Sequence, residues 1–370
     1  MHDQPDLPGG VASNKEIEMR GTSIAFTSLA VAAALTTSPG AAQGTPDTRA
    51  QVCTLGAAGV GQQATLICKD VRTGETTQSL RLSATVSAAG GIGGSLAARN
   101  GRVLVTNQAG GATLLRENHG WLNSPLALQT GGEGSLSGAV SEHGAYVLTG
   151  TRILFFPSGS SVASSSRPLL LADGSAAQVT VGDDFAYVSE KNGSLESFAL
   201  AANGNLNGAA TPVAGIPAGT IVGIAGADDL VVAPVAHLAT NFNQAAISVA
   251  SGSEQIQLVQ TKEVAACWAA HDDGEVCVAN PGSMTVSCGH IGRGGFTSYT
   301  SAAANPVGDS VFDVSMRKGL VGIMGTSSGA AILLVYARAE NDSDFLTLVN
   351  RFPAGAATTT GALLLPALSK

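Results

Sequence analysis

The chain has 370 residues, 44% of them apolar but only 12% charged and 4% aromatic, with 47 glycines. That content furnishes a sizeable core and many turns, which excludes a disordered chain. A formal charge of −8 with no basic stripe excludes nucleic acid and anionic membrane surfaces as partners.

At the N-terminus Arg20, the apolar run 24–35 and the small residues 40–42 read as an export signal cleaved after Ala42, with the polar stretch before Met19 as an upstream extension. Its apolar core is about a dozen residues, short of the roughly 20 that span a bilayer, so no membrane span is expected after cleavage. Residues 1–42 are thus a signal peptide and 43–370 the mature chain, secreted or periplasmic, in a compartment where disulfides persist.

A first, weaker strand-rich unit covers 49–87, where Cys53 and Cys68 flank a glycine-rich centre and form one cross-strand disulfide candidate. "GVGQQA" (59–64) within it leads into a strand, so it does not serve as a dinucleotide fingerprint. "GSLAARNGRVLVTNQAGGATLL" (94–115) then shows three apolar runs separated by a charged turn and a glycine turn. Trp121 follows and reads as packing between units, and Glu133 precedes "LSGAVSEHGAYVLTGTRILFF" (136–156). "AQVTVGDDFAYVSEKNGSLESFAL" (177–200) carries Gln178 and the pair Glu190-Lys191; "NGNLNG" (203–208) after it lacks the twelfth ligand of a calcium loop. The next unit, 221–249, has the longest second loop, which holds His237.

"ACWAAHDDGEVCVANPGSMTVS" (266–287) pairs Cys267 and Cys277 around an acidic turn as a second disulfide candidate, with Trp268 between them and Cys288 beyond able to compete for Cys277. All five cysteines could instead be small buried apolar residues. The last unit, 311–337, contains Asp313 and "GTSSG" (325–329), a hairpin turn and not a nucleophile elbow, because a strand follows where that motif needs a helix. No Cys-x-x-Cys, His-Glu-x-x-His or Walker spacing occurs, so neither metal nor cofactor is expected.

First runs start near 95, 137, 178, 222, 266 and 311, a period close to 42 residues. Three alternating strands and a fourth per unit, repeated at a fixed period without helical periodicity, predict an all-β fold: a seven-bladed β-propeller with four-stranded antiparallel blades. The segment 357–365 is expected to close the ring against the first blade. A monomer is expected.

The segment 266–287 resembles the Cys-Trp blade of secreted seven-bladed lactonase-like and carboxymuconate-cyclase-like propellers. "AQVTVGDDFAYVSEKNGSLESFALAANGNL" and "FPAGAA" (352–357) are similar to other blades of those proteins, and the resemblance covers about residues 90–360. It implies lactone opening or formation in a central funnel, by a lactone hydrolase or cycloisomerase.

In a propeller the loops entering each innermost strand share one rim with the loops between strands two and three. This entry rim is expected to receive Glu133, Gln178, Glu190, Lys191, His237, Lys262, Glu263, Cys267, Trp268 and Asp309. His237 would act as general base with Glu190 as partner or second acid–base group, Lys191, Gln178 and Glu133 would contact ligand, and Trp268 would either floor the funnel or pack between blades. The opposite, turn rim is expected to receive His143, Asp183, Asp228, His271, Asp272 and Arg317 as turn residues. Phosphorylated or polycarboxylated substrates need several convergent cations, and only Lys191 and Lys262 are available, which leaves a small lactone or carboxylic acid. The second reading is a non-catalytic exported propeller that binds an extracellular protein or glycan.

Overall fold

The computed structural model describes residues 50–56, 63–85, 95–107, 111–227, 230–236, 245–251, 257–261, 263–292, 295–300, 310–338, 346–354 and 360–366. Alternating apolar and small polar residues, broken by Gly, Asn and Asp turns, give strands throughout. No helix occurs among the described residues, and so none there is long and apolar enough to cross a membrane.

The strands are β1 (Ala50–Gly56), β2 (Gln63–Asp70), β3 (Thr76–Thr85), β4 (Leu96–Arg99), β5 (Arg102–Asn107), β6 (Gly111–Asn118) and β7 (Trp121–Leu128). Next come β8 (Ser135–Val140), β9 (Gly144–Thr149), β10 (Arg152–Pro157), β11 (Ser165–Pro168), β12 (Ala176–Val181), β13 (Phe185–Glu190), β14 (Leu195–Leu200) and β15 (Leu206–Pro212). They continue through β16 (Ala225–Ala227), β17 (Leu230–Val235), β18 (Ala245–Ser251), β19 (Gln257–Thr261), β20 (Trp268–Asp272), β21 (Glu275–Asn280), β22 (Thr285–Gly292) and β23 (Gly295–Thr300). The chain ends with β24 (Ser310–Arg317), β25 (Leu320–Ser327), β26 (Ala330–Arg338), β27 (Leu346–Pro353) and β28 (Thr360–Pro366).

These strands pair into four-stranded antiparallel sheets: β28-β1-β2-β3 first, then β4 to β7, β8 to β11, β12 to β15, β16 to β19, β20 to β23 and β24 to β27. As expected from 357–365, the last strand is the innermost of the first sheet, with Cys53 opposite Leu363 and Val52 opposite Leu364.

A sheet with two apolar faces must be covered on both. Each gap between successive sheets is filled by its own buried cluster. One, around Leu104, Leu114, Val147 and Phe156, lies between the second and third sheets; another, around Tyr146, Phe155, Val188 and Phe198, lies between the third and fourth. The gap between the last sheet and the first holds Val52, Leu320, Met324, Val335 and Leu364, so the packing returns to its start. This is a β-propeller with four-stranded antiparallel blades.

Innermost strands have an unpaired edge, which costs free energy unless capped. Polar side chains on one innermost strand supply the cap for the next. Gln178 Oε1 accepts from Ile224 N at 2.8 Å and Thr180 Oγ1 from Gly226 N at 2.7 Å. At the seam Asp313 Oδ2 accepts from Ala362 N and Ser315 Oγ from Leu364 N, both at 3.0 Å. Asp313 therefore lies at the interface between sheets, and its buried carboxylate is met there by a backbone N–H. Gly138 shows how closely the sheets approach, since a Cβ there would sit 2.3 Å from Leu104 Cδ2.

Two sequence expectations are corrected. Cys53 does bond to Cys68, but Cys277 bonds to Cys288 and Cys267 is a free thiol. The two-residue turn at Asp273-Gly274 sets Cys277 opposite Ala270, leaving Cys267 just before the strand, whereas the turn 281–284 sets Cys277 directly opposite Cys288. Trp121, expected to pack between units, opens β7 at the surface and is 49% exposed.

Candidate functional site

On the entry rim, the strongest electrostatic perturbation surrounds Glu190, the last residue of β13. Its side chain is fully buried. Ser175, in the loop entering β12, places its Oγ 2.7 Å from Glu190 Oε2 and 2.5 Å from Asp173 Oδ1. A hydroxyl has one proton and can donate to only one of the two. Its proton therefore serves one carboxylate at a time, and of the two Glu190 is the one whose charge the surroundings disfavour. Burial pushes its pKa up to about 7, with the negative Glu196 and Asp173 adding to the rise and Ser175 and Lys191 opposing it. Asp173, at the surface, is held below its usual value by the Ser175 hydroxyl and backbone N–H. Among the described residues Glu190 Oε1 has no hydrogen-bond partner. Glu196 is also buried and raised by that burial, against the Leu170 and Leu171 N–H groups it accepts from.

The remaining entry-rim residues are dispersed. Glu133 forms an ion pair with Arg152 (2.6 Å) and accepts from Thr151 Oγ1 at 3.1 Å. Burial would raise its pKa, but Thr149, Thr151 and Arg152 outweigh it and hold the carboxyl below the usual value. Gln178 spends Oε1 on the inter-sheet cap. Lys191 is exposed. Glu263 accepts from Thr285 Oγ1 at 2.9 Å. Trp268 packs against the cluster between the sixth and seventh sheets, its buried Nε1 without a partner among the described residues, and it lies so near Gly223 that a Cβ there would come within 2.7 Å of the ring. The Cys267 thiol is pushed up to about 11 by burial, which suppresses the thiolate. His237, Lys262, Asp309 and, on the other rim, Asp228 lie outside the described residues.

At the turn-rim end, the innermost strands β4, β8, β12, β16 and β20 enclose a cavity of about 350 Å³. Its walls are mostly backbone and small side chains such as Ala97, Ala139 and Gly226. Arg99, His271, Asp272 and Asp273 stand around it. His271 Nε2 accepts from Gly274 N at 3.3 Å, and Asp272 Oδ2 is occupied by the Lys318 backbone N–H. Among the described residues no group of three or more His, Cys, Asp or Glu side chains is placed to hold a metal ion.

Sequence reasoning put function on the entry rim and treated the other rim as turns. It missed Ser175 and Asp173, which are close to Glu190 only after folding, and Arg99, whose position at the end of an innermost strand was the available signal.

No family model matches the chain, and no curated protein matches it. Solved structures do. A candidate 6-phosphogluconolactonase from Bacteroides uniformis superposes with a TM-score of 0.58 at 11% identity, covering 86% of this chain and 100% of its own. A candidate 6-phosphogluconolactonase from Bacteroides fragilis gives 0.57 at 12% identity over 86% and 98%, and a protein from Lactobacillus plantarum gives 0.57 at 14% identity over 85% and 99%. At these identities the likeness is one of fold: this chain shares the propeller architecture of those proteins.

Proposed function

We propose that this chain is an exported seven-bladed propeller that binds a small lactone or carboxylic acid in its axial cavity and does not turn it over. The carrying observation is the roughly 350 Å³ cavity with Arg99 and His271 beside it, within the size range of small-ligand sites. Arg99 supplies a planar donor pair for a carboxylate or lactone carbonyl, while Asp272 and Asp273 oppose a multiply charged anion. A neutral or singly charged ligand is therefore preferred, as the sparse cations of the sequence also suggest. The likeness to candidate lactonases supports the ligand class, and the two disulfides support export.

Binding is preferred to catalysis because Glu190 has no exposed surface and does not line the cavity. A general acid must reach its substrate within about 3 Å.

Titration calorimetry of the mature protein against a panel of γ- and δ-lactones and their hydroxy acids tests this reading. One-to-one binding, weakened at least tenfold by Arg99→Ala and untouched by Glu190→Gln, is the expected result. Absence of binding across the panel overturns it, as does lactone hydrolysis abolished by Glu190→Gln, which would make the protein an enzyme.

A further inference from the structure

Away from the axis, the second sheet carries an arrangement of charge that its own fold does not balance. Arg99 lies opposite Arg102 across β4 and β5, and Arg102 lies opposite Arg116 across β5 and β6. Directly opposed residues share one face of a sheet, with Cβ atoms about 5 Å apart, and like charges in that position destabilise the pairing. Three arginines in one cross-strand row are notable in a chain with only 19 basic residues and a net charge of −8.

Among the described residues none of the three forms an ion pair. Arg102 donates to the Ser141 and Glu142 carbonyls at 3.1 and 3.0 Å. The nearby carboxylates are engaged elsewhere: Glu117 Oε1 accepts from Gly120 N, and Glu142 stands at the surface beside His143.

Arg102 and Arg116 line a groove of about 840 Å³ where the second and third sheets diverge at the turn rim. Below them, on the same face, Leu104 and Leu114 belong to the cluster between those sheets. Leu114, Leu126 and Pro125 give the groove an apolar floor, and Asn118, Asn123 and Ser158 give it amide and hydroxyl edges. A register shift between Leu114 and Arg116, opposite Ser124 with its φ of 51°, places a bulge beside Arg116.

We propose that this groove binds an acidic saccharide, with a carboxylate or sulfate held between Arg102 and Arg116. Arginine forks match the planar or tetrahedral oxygens of such groups. Asn and Ser side chains suit ring hydroxyls, the apolar floor suits a ring face, and the volume exceeds what a bare oxyanion fills. A peptide is less well served, because the outermost strand β7, which lines the groove, is interrupted there by the bulge at Ser124 and by Pro125, which has no N–H to offer an added strand. The site is separate from the axial cavity and its occupancy does not depend on that reading.

Calorimetry with a hexuronate trisaccharide and a sulfated disaccharide, each beside its neutral counterpart, tests the proposal and distinguishes the two oxyanions. At least one acidic probe should bind, more weakly as salt rises, and at least tenfold more weakly to Arg116→Gln, with Arg116→Lys intermediate. Arg116 is exposed, and its removal relieves like-charge opposition. Unliganded Arg116→Gln should therefore melt no lower than the parent, and a lower melting temperature would assign Arg116 a structural role instead. Arg99→Ala, the axial-cavity variant, should leave Arg116-dependent binding within a fewfold. Equal affinity for the neutral saccharides, inorganic sulfate binding as well as the saccharides, preference for an acidic peptide, or no effect of Arg116→Gln each overturns it.

Discussion

The third and fourth sheets and the first and sixth solve the same packing problem with different chemistry. In the middle strands of the third and fourth, Tyr146, Phe155, Phe156, Phe185, Tyr187 and Phe198 supply the volume between sheets. The Tyr146 and Phe155 rings stack at 4.8 Å, and Tyr146 Oη donates to Gly204 O at 2.7 Å. The middle strands of the first and sixth sheets hold no aromatic residue. Each is instead cross-linked by a disulfide, Cys53–Cys68 or Cys277–Cys288. The same sheet shape is thus kept by bulk in one half and by a covalent tie in the other, and the two halves should fail under different insults.

The largest effect is expected from the aromatic half. Phe155→Ala removes a fully buried ring and should cost about 4 kcal/mol in urea denaturation under oxidising and reducing conditions alike. A loss below about 1 kcal/mol would deny that the ring fills the gap. Next comes the cross-linked half: replacing Cys277 and Cys288 together by Ala should cost about 3 kcal/mol. Reductant should destabilise the parent by more, since it also opens Cys53–Cys68, while Cys267→Ser should keep the Cys277–Cys288 bond. Non-reducing peptide mapping that links Cys267 to Cys277 would refute the observed register.

The last effect sharpens the comparison within the fourth sheet, whose middle strand β13 also ends on a buried acid. Glu190 has a folded-state pKa of about 7 against an ordinary value of 4.5. The folded chain therefore keeps a proton that the unfolded chain has already lost. Its contribution is fully present below pH 4.5 and is lost as pH rises through about 7, on the order of 3 kcal/mol. Glu196 is shifted in the same direction, so the difference between parent and Glu190→Gln isolates Glu190. The variant should match the parent near pH 4.5 and exceed it at pH 8. A parent curve as flat as the variant's would mean that Glu190 is ionised in the folded chain.

Much of the architecture was legible in the sequence, because strand alternation and turn residues are local and recur at a fixed spacing. "AYVLTGTRILFF" needs only its own neighbours to declare two strands and a turn. The cysteine pairing was less legible, since it hinges on turn lengths that differ by two residues at 273–274 and 281–284. The charged groups were hardest. Nothing local marks Ser175 as the bridge between Asp173 and Glu190, and the row Arg99, Arg102 and Arg116 becomes a row only once register is known. Caps and cavity lining fall on the same innermost strands: Gln178 both lines the axial cavity and accepts from Ile224 N, while Asp313 accepts from Ala362 N, and only the folded register shows which innermost-strand residue serves which neighbour.

The pairing of β28 with β1 makes the first sheet the last to be completed. During synthesis the outer three strands of that sheet wait for a partner some 300 residues away in sequence, with the edge of β1 open to any other extended chain. Such distant pairing is slow to form, and an open edge invites exchange between molecules. Once formed, the Cys53–Cys68 tie holds β1 to β2 whether or not β28 has arrived, so it keeps the waiting edge in register independently of ring closure.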